Sequence, residues 1–355
     1  MVEDDLEPFE IRLKIERRSK SGLKYIPVDI IGNYLIKVQN LLNHCGEYIS
    51  EKPFRARGQT SKDVIKRCKL LMKDADISSF DQHLMLGDSQ SVLIGNQLGV
   101  DSIQLCSELL NSVLSDDPDQ ISETISNSVA EIRYRNRILR DIDGMIPKRN
   151  EGINILFQSK GLHKLIQLKY ENKSCLSNII KKTKKENIRI IGILSEMRVT
   201  QGPKKIELTG PEGKIKIKYS KDRKSELLEL MNLGQPIEIS GVAKMKEDET
   251  IEVLENIKEI RKVKSIDRHR IVSDEYDLIL KSPLRLNLRY EDDNWIMDNP
   301  KLGIYSQCKD YNDCLKEAES EFTFIVKEYL ESDEGSLTED AKVLRAFLKE
   351  MVKEN

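Results

Sequence analysis

The sequence is poor in aromatic residues and has no long apolar run. Aromatic side chains make up 5% of the 355 residues, and tryptophan occurs once. No stretch reaches the roughly 18 consecutive apolar residues that a membrane-spanning helix needs, so we expect no membrane partner. Three of the first five residues are acidic, whereas a signal peptide begins with a basic and then an apolar segment. These features predict a cytoplasmic protein.

The net charge and the cysteine pattern exclude further classes of protein. The 58 Lys and Arg residues nearly balance the 60 Asp and Glu residues, giving a net charge of -2. Any binding of a polyanion must therefore rely on a local patch rather than on the charge of the whole chain. The six cysteines are scattered, with no CxxC pair and no histidine at ligand spacing. We therefore expect neither a metal nor a cofactor.

The length suits more than one domain, and the first 180 residues are predicted to form an α+β domain. Apolar residues alternate with charged ones from Phe9 to Ile15, as in a half-buried strand. Pro27 then precedes apolar residues at helical spacing. The remaining elements predicted for this domain are a helix over 61–73, a strand over 80–86, a helix over 103–113, a longer helix over 121–142 closed by Gly144, and two strands within 155–170.

Residues 188–264 are predicted to form a small five-stranded β-barrel. Apolar runs bounded by Gly and Pro recur there, and one short amphipathic helix follows the third run. Gly192 lies inside the first run, at a position where a barrel strand bends. The predicted elements are strands at 188–197, 205–209 and 214–219, a helix at 225–233, and strands at 236–243 and 250–260.

This order of elements resembles the OB-fold family over about 75 residues. The resemblance implies oligonucleotide binding across the second and third strands, with bases stacked on aromatic side chains in a basic groove. Here the sequence departs from the family. Tyr219 is the only aromatic residue between Ile188 and Ile260, and its alternation with Ile215 and Ile217 places it in the core. We therefore expect no stacking platform.

Four lysines are the candidate nucleic-acid-binding residues of the barrel. Lys205 belongs to the second predicted strand, and Lys214, Lys216 and Lys218 alternate along one face of the third. Ammonium groups bind phosphates without aromatic help. Residues 178–264 hold 20 Lys and Arg against 14 Asp and Glu, a local excess of six positive charges. A solvated strand face and a protein-binding barrel remain the alternatives.

Residues 274–355 are predicted to form a βββα domain with a terminal helix. The segments 290–296 (YEDDNWI), 299–306 (NPKLGIYS) and 312–318 (NDCLKEA) resemble the small sheet domain of HicB-like antitoxins, a partial RNase H fold, over residues 276–332. Cys308 replaces the glycine usual after the third strand, and no DNA-binding helices are evident. Ser336 to Glu339 instead form a capping box that opens a last helix through Lys349.

The sequence therefore leads to two functional hypotheses. The HicB-like resemblance implies a role in protein binding and assembly. With the OB-like module it predicts a non-enzymatic adaptor of a toxin–antitoxin or defence-type system, contacting nucleic acid, a protein partner or further copies of itself. The alternative is an enzyme whose site lies in the N-terminal domain. Its candidate residues are Asp81, His83 and Asp88.

Overall fold

The fold was analysed in a computed structural model of the chain. The chain divides into two compact units, the first formed by residues 1–52 and 59–183 and the second by residues 53–58 and 184–355. Helices accompany antiparallel sheets in the chain, which is therefore an α+β protein. No helix in the described ranges combines the length and apolarity needed to cross a bilayer. The structure describes residues 6–17, 26–54, 60–76, 80–87, 96–115, 117–160, 162, 165–182, 185–198, 204–246, 250–273, 276–333, 335 and 337–353.

The N-terminal unit contains a five-stranded antiparallel sheet. Its strands are β1 (Glu10–Arg17), β2 (Leu70–Asp76), β3 (Phe80–Leu86), β4 (Ile153–Ser159) and β5 (Ile166–Leu168). They lie in the order β2-β3-β1-β4-β5. Ile11, Leu13 and Ile15 are fully buried while Arg12 and Lys14 are half-buried, so the alternation predicted for the first strand is confirmed. One face of the sheet is thus apolar and the other is charged.

The helices of this unit pack mainly on one another. They are α1 (Val28–Ile49), α2 (Lys62–Arg67), α3 (Gln97–Ser112), α4 (Pro118–Ser128), α5 (Ile132–Met145) and α6 (Asn172–Lys182). Helix α1 contacts α3 and α5, and α3 also contacts β4. As predicted, α1 begins directly after Pro27, whose fixed φ suits a helix start.

Two helix predictions for this unit are wrong. The helix expected over 61–73 ends at Arg67, because Leu70 already pairs with Leu86 as part of β2. The long helix expected over 121–142 is interrupted between α4 and α5. The Arg135 side chain donates hydrogen bonds of 2.9 Å to the carbonyls of Val129 and Ala130. These two carbonyl groups directly after α4 therefore have hydrogen-bond partners. Gly144, predicted as a C-cap, lies inside α5.

The second unit begins with a closed five-stranded barrel. Its elements are β6 (Lys185–Arg198), β7 (Lys205–Gly210), β8 (Gly213–Lys218), α7 (Lys224–Leu233), β9 (Ile237–Met245) and β10 (Ile251–Lys262). The strand order is β10-β8-β7-β6-β9 with closure between β9 and β10. Strands β8 and β10 pair in parallel, and the other neighbours are antiparallel. Each strand and helix predicted for this stretch is present, with small differences at the ends.

Two glycines allow β6 and β7 to approach closely. A Cβ atom on Gly210 would lie 2.1 Å from the Ile191 carbonyl oxygen, and one on Gly192 would lie 2.6 Å from the Thr209 carbonyl oxygen. Both obstacles are backbone atoms, so a side chain at either position requires the strands to separate. The bend predicted at Gly192 therefore reflects a close contact between neighbouring strands.

Gly210→Ala is expected to lower the stability of the second unit by about 3 kcal/mol, the upper range for overpacking a closed structure. The measurement is urea unfolding followed by the fluorescence of Trp295, the sole tryptophan, which lies in this unit. Gly335→Ala is the control within the same unit, because a Cβ there meets only the Asp333 Oδ2 atom, at 3.3 Å. An unchanged unfolding midpoint for Gly210→Ala would contradict the close approach of β6 and β7.

The barrel is followed by a four-stranded antiparallel sheet and two helices. They are β11 (Ser265–Val272), β12 (Asp277–Glu291), β13 (Asn294–Asn299), β14 (Ile304–Cys308), α8 (Tyr311–Glu331) and α9 (Glu339–Met351). The strands lie in sequence order. Helix α8 packs on β13 and β14, with Trp295 and Phe322 buried in the core. The last three strands and both helices were predicted, but β11 was not. The capping box predicted to begin at Ser336, which lies outside the described residues, is wrong: Thr338 is the N-cap of α9 and accepts a hydrogen bond from the Ala341 N–H.

The barrel and the C-terminal sheet belong to the same compact unit. Ile193 of β6 is part of the core that also contains Trp295, and Ile191 packs against it. The Asn312 side chain at the start of α8 donates a hydrogen bond of 2.8 Å to the Pro211 carbonyl between β7 and β8. Ile191 and Ile193 of β6 thus pack with the core of the C-terminal sheet, and the division of this unit into two domains stays a prediction.

Candidate nucleic-acid interface

The four candidate lysines lie together on the outer face of β7 and β8. Lys205 is opposite Lys218, Glu207 is opposite Lys216, and Thr209 is opposite Lys214. The alternating residues Ile206, Leu208, Ile215 and Ile217 are buried inside the barrel. Because side chains alternate between the two faces of a strand, burial of these four residues directs all four lysines outward.

The lysines differ in exposure and in pairing. Lys214 and Lys216 are exposed, whereas Lys205 and Lys218 are half-buried. Lys218 forms an ion pair with Glu255 of β10, its neighbour across the parallel pair. In the part of the chain that the structure describes, no carboxylate pairs with Lys205, Lys214 or Lys216. Three ammonium groups on two neighbouring strands are therefore available to an anionic ligand.

Acidic residues limit the positive charge of this face. Glu207 lies opposite Lys216, and Glu196 of β6 is the register partner of Glu207. Lys205 and Lys218 are like charges directly opposite each other, an arrangement that destabilises a sheet. Glu255 offsets this repulsion by neutralising Lys218. The face is mildly basic, so it suits several weak phosphate contacts rather than one strong anion site.

The end of β8 opens into a groove of about 620 Å³ beside the lysine face. Its lining includes Lys218, Arg223 after β8, and Glu255 and Asn256 of β10. Asn256 has a positive φ of 50° and lies where the register between β9 and β10 shifts. A register shift of this kind is a β-bulge, and bulges at the rim of a barrel change the direction in which side chains point. Arg223 is paired with Glu226 at 2.7 Å, so the groove extends the charged surface with residues that already have partners.

Tyr219 lies in the core with 8% of its surface exposed, as predicted from its alternation with Ile215 and Ile217. The outer face of β7 and β8 therefore presents lysine, glutamate and threonine side chains and no aromatic ring. Base stacking contributes about 1–3 kcal/mol per base where a protein provides an aromatic platform. Any nucleic-acid binding on this face must consequently depend on phosphate contacts.

Sequence reasoning missed the contributions of Glu255 and Arg223. The parallel pairing of β8 with β10 brings an acidic residue of β10 beside the lysines of β8. The ion pair between Lys218 and Glu255 could therefore be predicted only from the strand topology, not from the spacing of residues. Arg223 lies in the short turn before α7, which carries charge of both signs and gives no directional pattern.

The residues proposed for an N-terminal enzyme site lie on the charged face of the sheet. Arg12 donates two hydrogen bonds of 2.9 Å to the Asp81 carboxylate, and His83 is the register partner of Arg12. The Arg12 guanidinium holds the pKa of Asp81 below its usual value. A carboxylate fixed in this way is a weak base and has no proton to donate near neutral pH. Asp88 lies outside the described residues.

Asp81 is expected to make the N-terminal unit sensitive to acid. Its pKa is lower in the folded state than the ordinary value of 3.8, so the stabilisation is present above that pH and is lost as pH falls through the folded pKa. Asp81→Asn should remove this acid-linked loss and cost about 1.5–3 kcal/mol at neutral pH, since a hydrogen-bonded charge is lost. Urea midpoints by circular dichroism from about pH 3 to about pH 7 measure both effects. Parallel pH profiles for the two proteins would contradict the ion pair.

The cysteines do not form a reactive site among the described residues. Cys45, Cys68, Cys106 and Cys314 are fully buried, and burial raises the pKa of Cys106 to about 12. Within the described ranges, no three His, Cys, Asp or Glu side chains are grouped as metal ligands. A thiol with a raised pKa is protonated at neutral pH and therefore a poor nucleophile.

No protein-family model matches the chain, and no curated protein or solved structure matches it either. The OB-like and HicB-like resemblances therefore stay predictions, the first from the order of the elements and the second from the segments 290–296, 299–306 and 312–318.

Proposed function

We propose that the barrel is an OB-fold and that the protein is a non-catalytic adaptor that binds single-stranded nucleic acid along β7 and β8. The three unpaired lysines on this face carry the proposal. Further support comes from the closed barrel order, from α7 between β8 and β9, and from the parallel pairing of β8 with β10. This is the plan of the OB-fold, whose second and third strands bind oligonucleotides.

Binding on this face follows from counterion release. Each lysine that contacts a phosphate releases a condensed cation from the nucleic acid, which makes the affinity fall with salt. Lys205, Lys214 and Lys216 contact the backbone directly. A phosphate near Lys218 competes with Glu255 for the same ammonium group, so this contact contributes less. Because phosphates are the same in every sequence, binding through these contacts is independent of sequence.

We further propose that the C-terminal sheet is a HicB-like module that binds a protein partner. The order β12, β13, β14, α8 supports this assignment. Residues 265–355 hold 13 Lys and Arg against 21 Asp and Glu, an excess of eight negative charges. A basic partner surface would complement this charge. In this account the barrel holds nucleic acid while the sheet recruits a protein.

Fluorescence anisotropy with labelled single-stranded DNA, single-stranded RNA and duplex DNA tests the nucleic-acid proposal. Three phosphate contacts predict that affinity for a single strand falls roughly 20-fold between about 50 and 200 mM salt. The single strands should bind more tightly than the duplex, because the barrel face follows one backbone. Absence of binding at the lower salt concentration, or binding that salt leaves unchanged, would contradict the proposal.

A further inference from the structure

A groove of about 690 Å³ lies in the N-terminal unit, where the turn after α5 meets the start of α6. Its lining combines two cations, two hydroxyls, one carboxylate and one aromatic ring, from Arg149, Lys173, Ser174, Ser177, Glu171 and Tyr170. Contacts between α5 and α6 hold the two segments together. The groove belongs to a different compact unit from the lysine face of β7 and β8, and the two surfaces share no residue.

The sequence around this groove is strongly basic. Residues 145–183 hold eight Lys and Arg against two Asp and Glu, an excess of six positive charges within 39 residues. Residues 178–264, which include the barrel, carry the same excess over 87 residues. Positive charge is thus more than twice as dense around the groove as along the barrel. A local excess of this kind attracts polyanions even though the whole chain is nearly neutral.

Two of the cations beside the groove are available to a ligand. Lys148 and Arg149 are exposed, and within the described ranges no carboxylate pairs with either side chain. Lys173 bonds both the side chain and the carbonyl of Asp143, at 3.4 Å each, and has one further N–H to donate. Glu171 is exposed in the lining and opposes these charges. The three cations outweigh that single carboxylate.

A further lysine, Lys37 of α1, lies near the same cations. Burial lowers the pKa of Lys37, Glu151 opposes this shift, and the positive charges of Lys148 and Lys173 add to it. The Glu151 carboxylate also accepts hydrogen bonds from the Tyr34 hydroxyl at 2.9 Å and from the Lys148 N–H at 3.0 Å, which fixes the turn after α5. Like charges held near one another repel, and an anion among them relieves that repulsion.

Tyr170 gives this groove the aromatic ring that the barrel face lacks. The residue is 41% exposed, and among the described residues no hydrogen bond or ring contact engages its side chain. Proteins bind single-stranded nucleic acid with this combination, in which cations contact the phosphates and an exposed ring stacks on a base. An anionic membrane surface or an acidic protein would engage the cations without needing the ring. The lining therefore favours a nucleic acid.

We propose that this groove is a second site for single-stranded nucleic acid, with Lys148, Arg149 and Lys173 on the phosphates and Tyr170 stacked on a base. The inference goes beyond the barrel proposal, because all its residues belong to the N-terminal unit. With two unpaired cations against three, the groove is the weaker of the two sites. It fills at strand concentrations above those that saturate the barrel.

Photo-cross-linking of the full chain to a single strand that carries bromodeoxyuridine tests the site directly. A base stacked on Tyr170 should cross-link to this tyrosine, which mass spectrometry of the digested protein locates. Tyr305, which is 52% exposed on β14, is the matched control and should stay unmodified. The variant Lys205→Ala, Lys214→Ala, Lys216→Ala should give the same cross-link, so failure of the barrel site and failure of this groove can be distinguished.

The contribution of the ring is measured by anisotropy in that barrel variant, so that the remaining affinity belongs to the groove. Tyr170→Ala should weaken binding at least about fivefold, the lower end of what one stacked base contributes. Tyr170→Phe should keep the affinity, because the ring remains.

The contribution of the cations is measured as salt dependence in the same background. Lys148→Ala with Arg149→Ala should make the slope of the logarithm of the binding constant against the logarithm of the salt concentration less steep by about 1.4. The control is Lys62→Ala with Lys69→Ala, since both lysines are exposed in the same unit and outside the groove lining. This control should leave the slope unchanged.

Three results would overturn the proposal. One is the absence of a cross-link at Tyr170 at a saturating strand concentration. Another is equal weakening by Tyr170→Phe and Tyr170→Ala, which would show that the ring does not stack. The third is binding to vesicles of phosphatidylserine and phosphatidylcholine that is tighter than binding to the strand and that Tyr170→Ala leaves unchanged. That result would assign the cations to an anionic membrane surface.

Discussion

Asp277→Ala will destabilise the second unit by about 3–5 kcal/mol, because it leaves a buried guanidinium without its carboxylate. Arg270 donates to both oxygens of Asp277, at 2.8 and 2.7 Å. The two side chains are only 8% and 0% exposed. Two charges removed from water are tolerated here because the bidentate geometry satisfies them both.

Urea unfolding followed by the fluorescence of the buried Trp295 measures this loss in the unit that contains the pair. The matched control is Asp267→Ala. Arg285 also holds Asp267 through two hydrogen bonds across β11 and β12, but those side chains are 66% and 37% exposed. Solvent screens an exposed pair, so the control should change stability little. Equal losses for the two variants would contradict the burial of the Arg270–Asp277 pair.

Changing Lys205, Lys214 and Lys216 to Glu together is expected to weaken single-strand binding by at least about 100-fold. The substitutions remove three phosphate contacts and add repulsion on a face that already carries Glu207 and Glu255. Anisotropy with a labelled oligothymidylate at low salt measures the change, and the fold is checked by the unchanged fluorescence of Trp295.

In the control for that experiment, three exposed lysines outside the barrel are changed to Glu: Lys281, Lys309 and Lys349. This variant has the same net charge as the first one, so it isolates the position of the charges from their sum. Retained affinity in the control and lost affinity in the first variant would support the barrel face. Similar losses in both would attribute binding to the charge of the whole molecule.

The barrel was the part of the fold that sequence reasoning predicted best. Its strands are short, bounded by Gly and Pro, and alternate clearly, as Ile215 and Ile217 do between the outward lysines of β8. Gly192 was singled out as the site of a strand bend, whereas its close approach to the Thr209 backbone became evident only in the structure. The local sequence pattern and the tertiary packing agree in this module, and such agreement makes a structure predictable from its sequence.

The N-terminal unit was harder to predict because some of its hydrophobic patterns fit both a helix and a strand. Leu70, Leu71 and Met72 suit either the end of a helix or a strand, and pairing with β3 decides between them. Ile125, Val129 and Ile132 keep helical spacing across the break between α4 and α5. The Arg135 side chain bonds to the Val129 and Ala130 carbonyls at that break, a contact that no periodicity reveals. Tertiary contacts therefore overrode local propensity.

Strand β11 was not predicted because its charged residues break the apolar alternation that is typical of a strand. Arg268 is paired with Glu319 at 2.7 Å, and Arg270 is paired with Asp277. Their partners belong to α8 and β12, so the burial of these charges could not be inferred from the segment itself. For the candidate interface, the positions of the four lysines followed from alternation, but the neutralisation of Lys218 by Glu255 required the parallel pairing of β8 with β10.

The central claim is that three lysines on β7 and β8 contact the phosphates of a single strand. The most direct measurement is the slope of the logarithm of the binding constant against the logarithm of the salt concentration, for the wild type and for Lys205→Ala with Lys214→Ala and Lys216→Ala. Three phosphate contacts predict a slope less steep by about 2 in the variant. An identical slope in both proteins would contradict the claim.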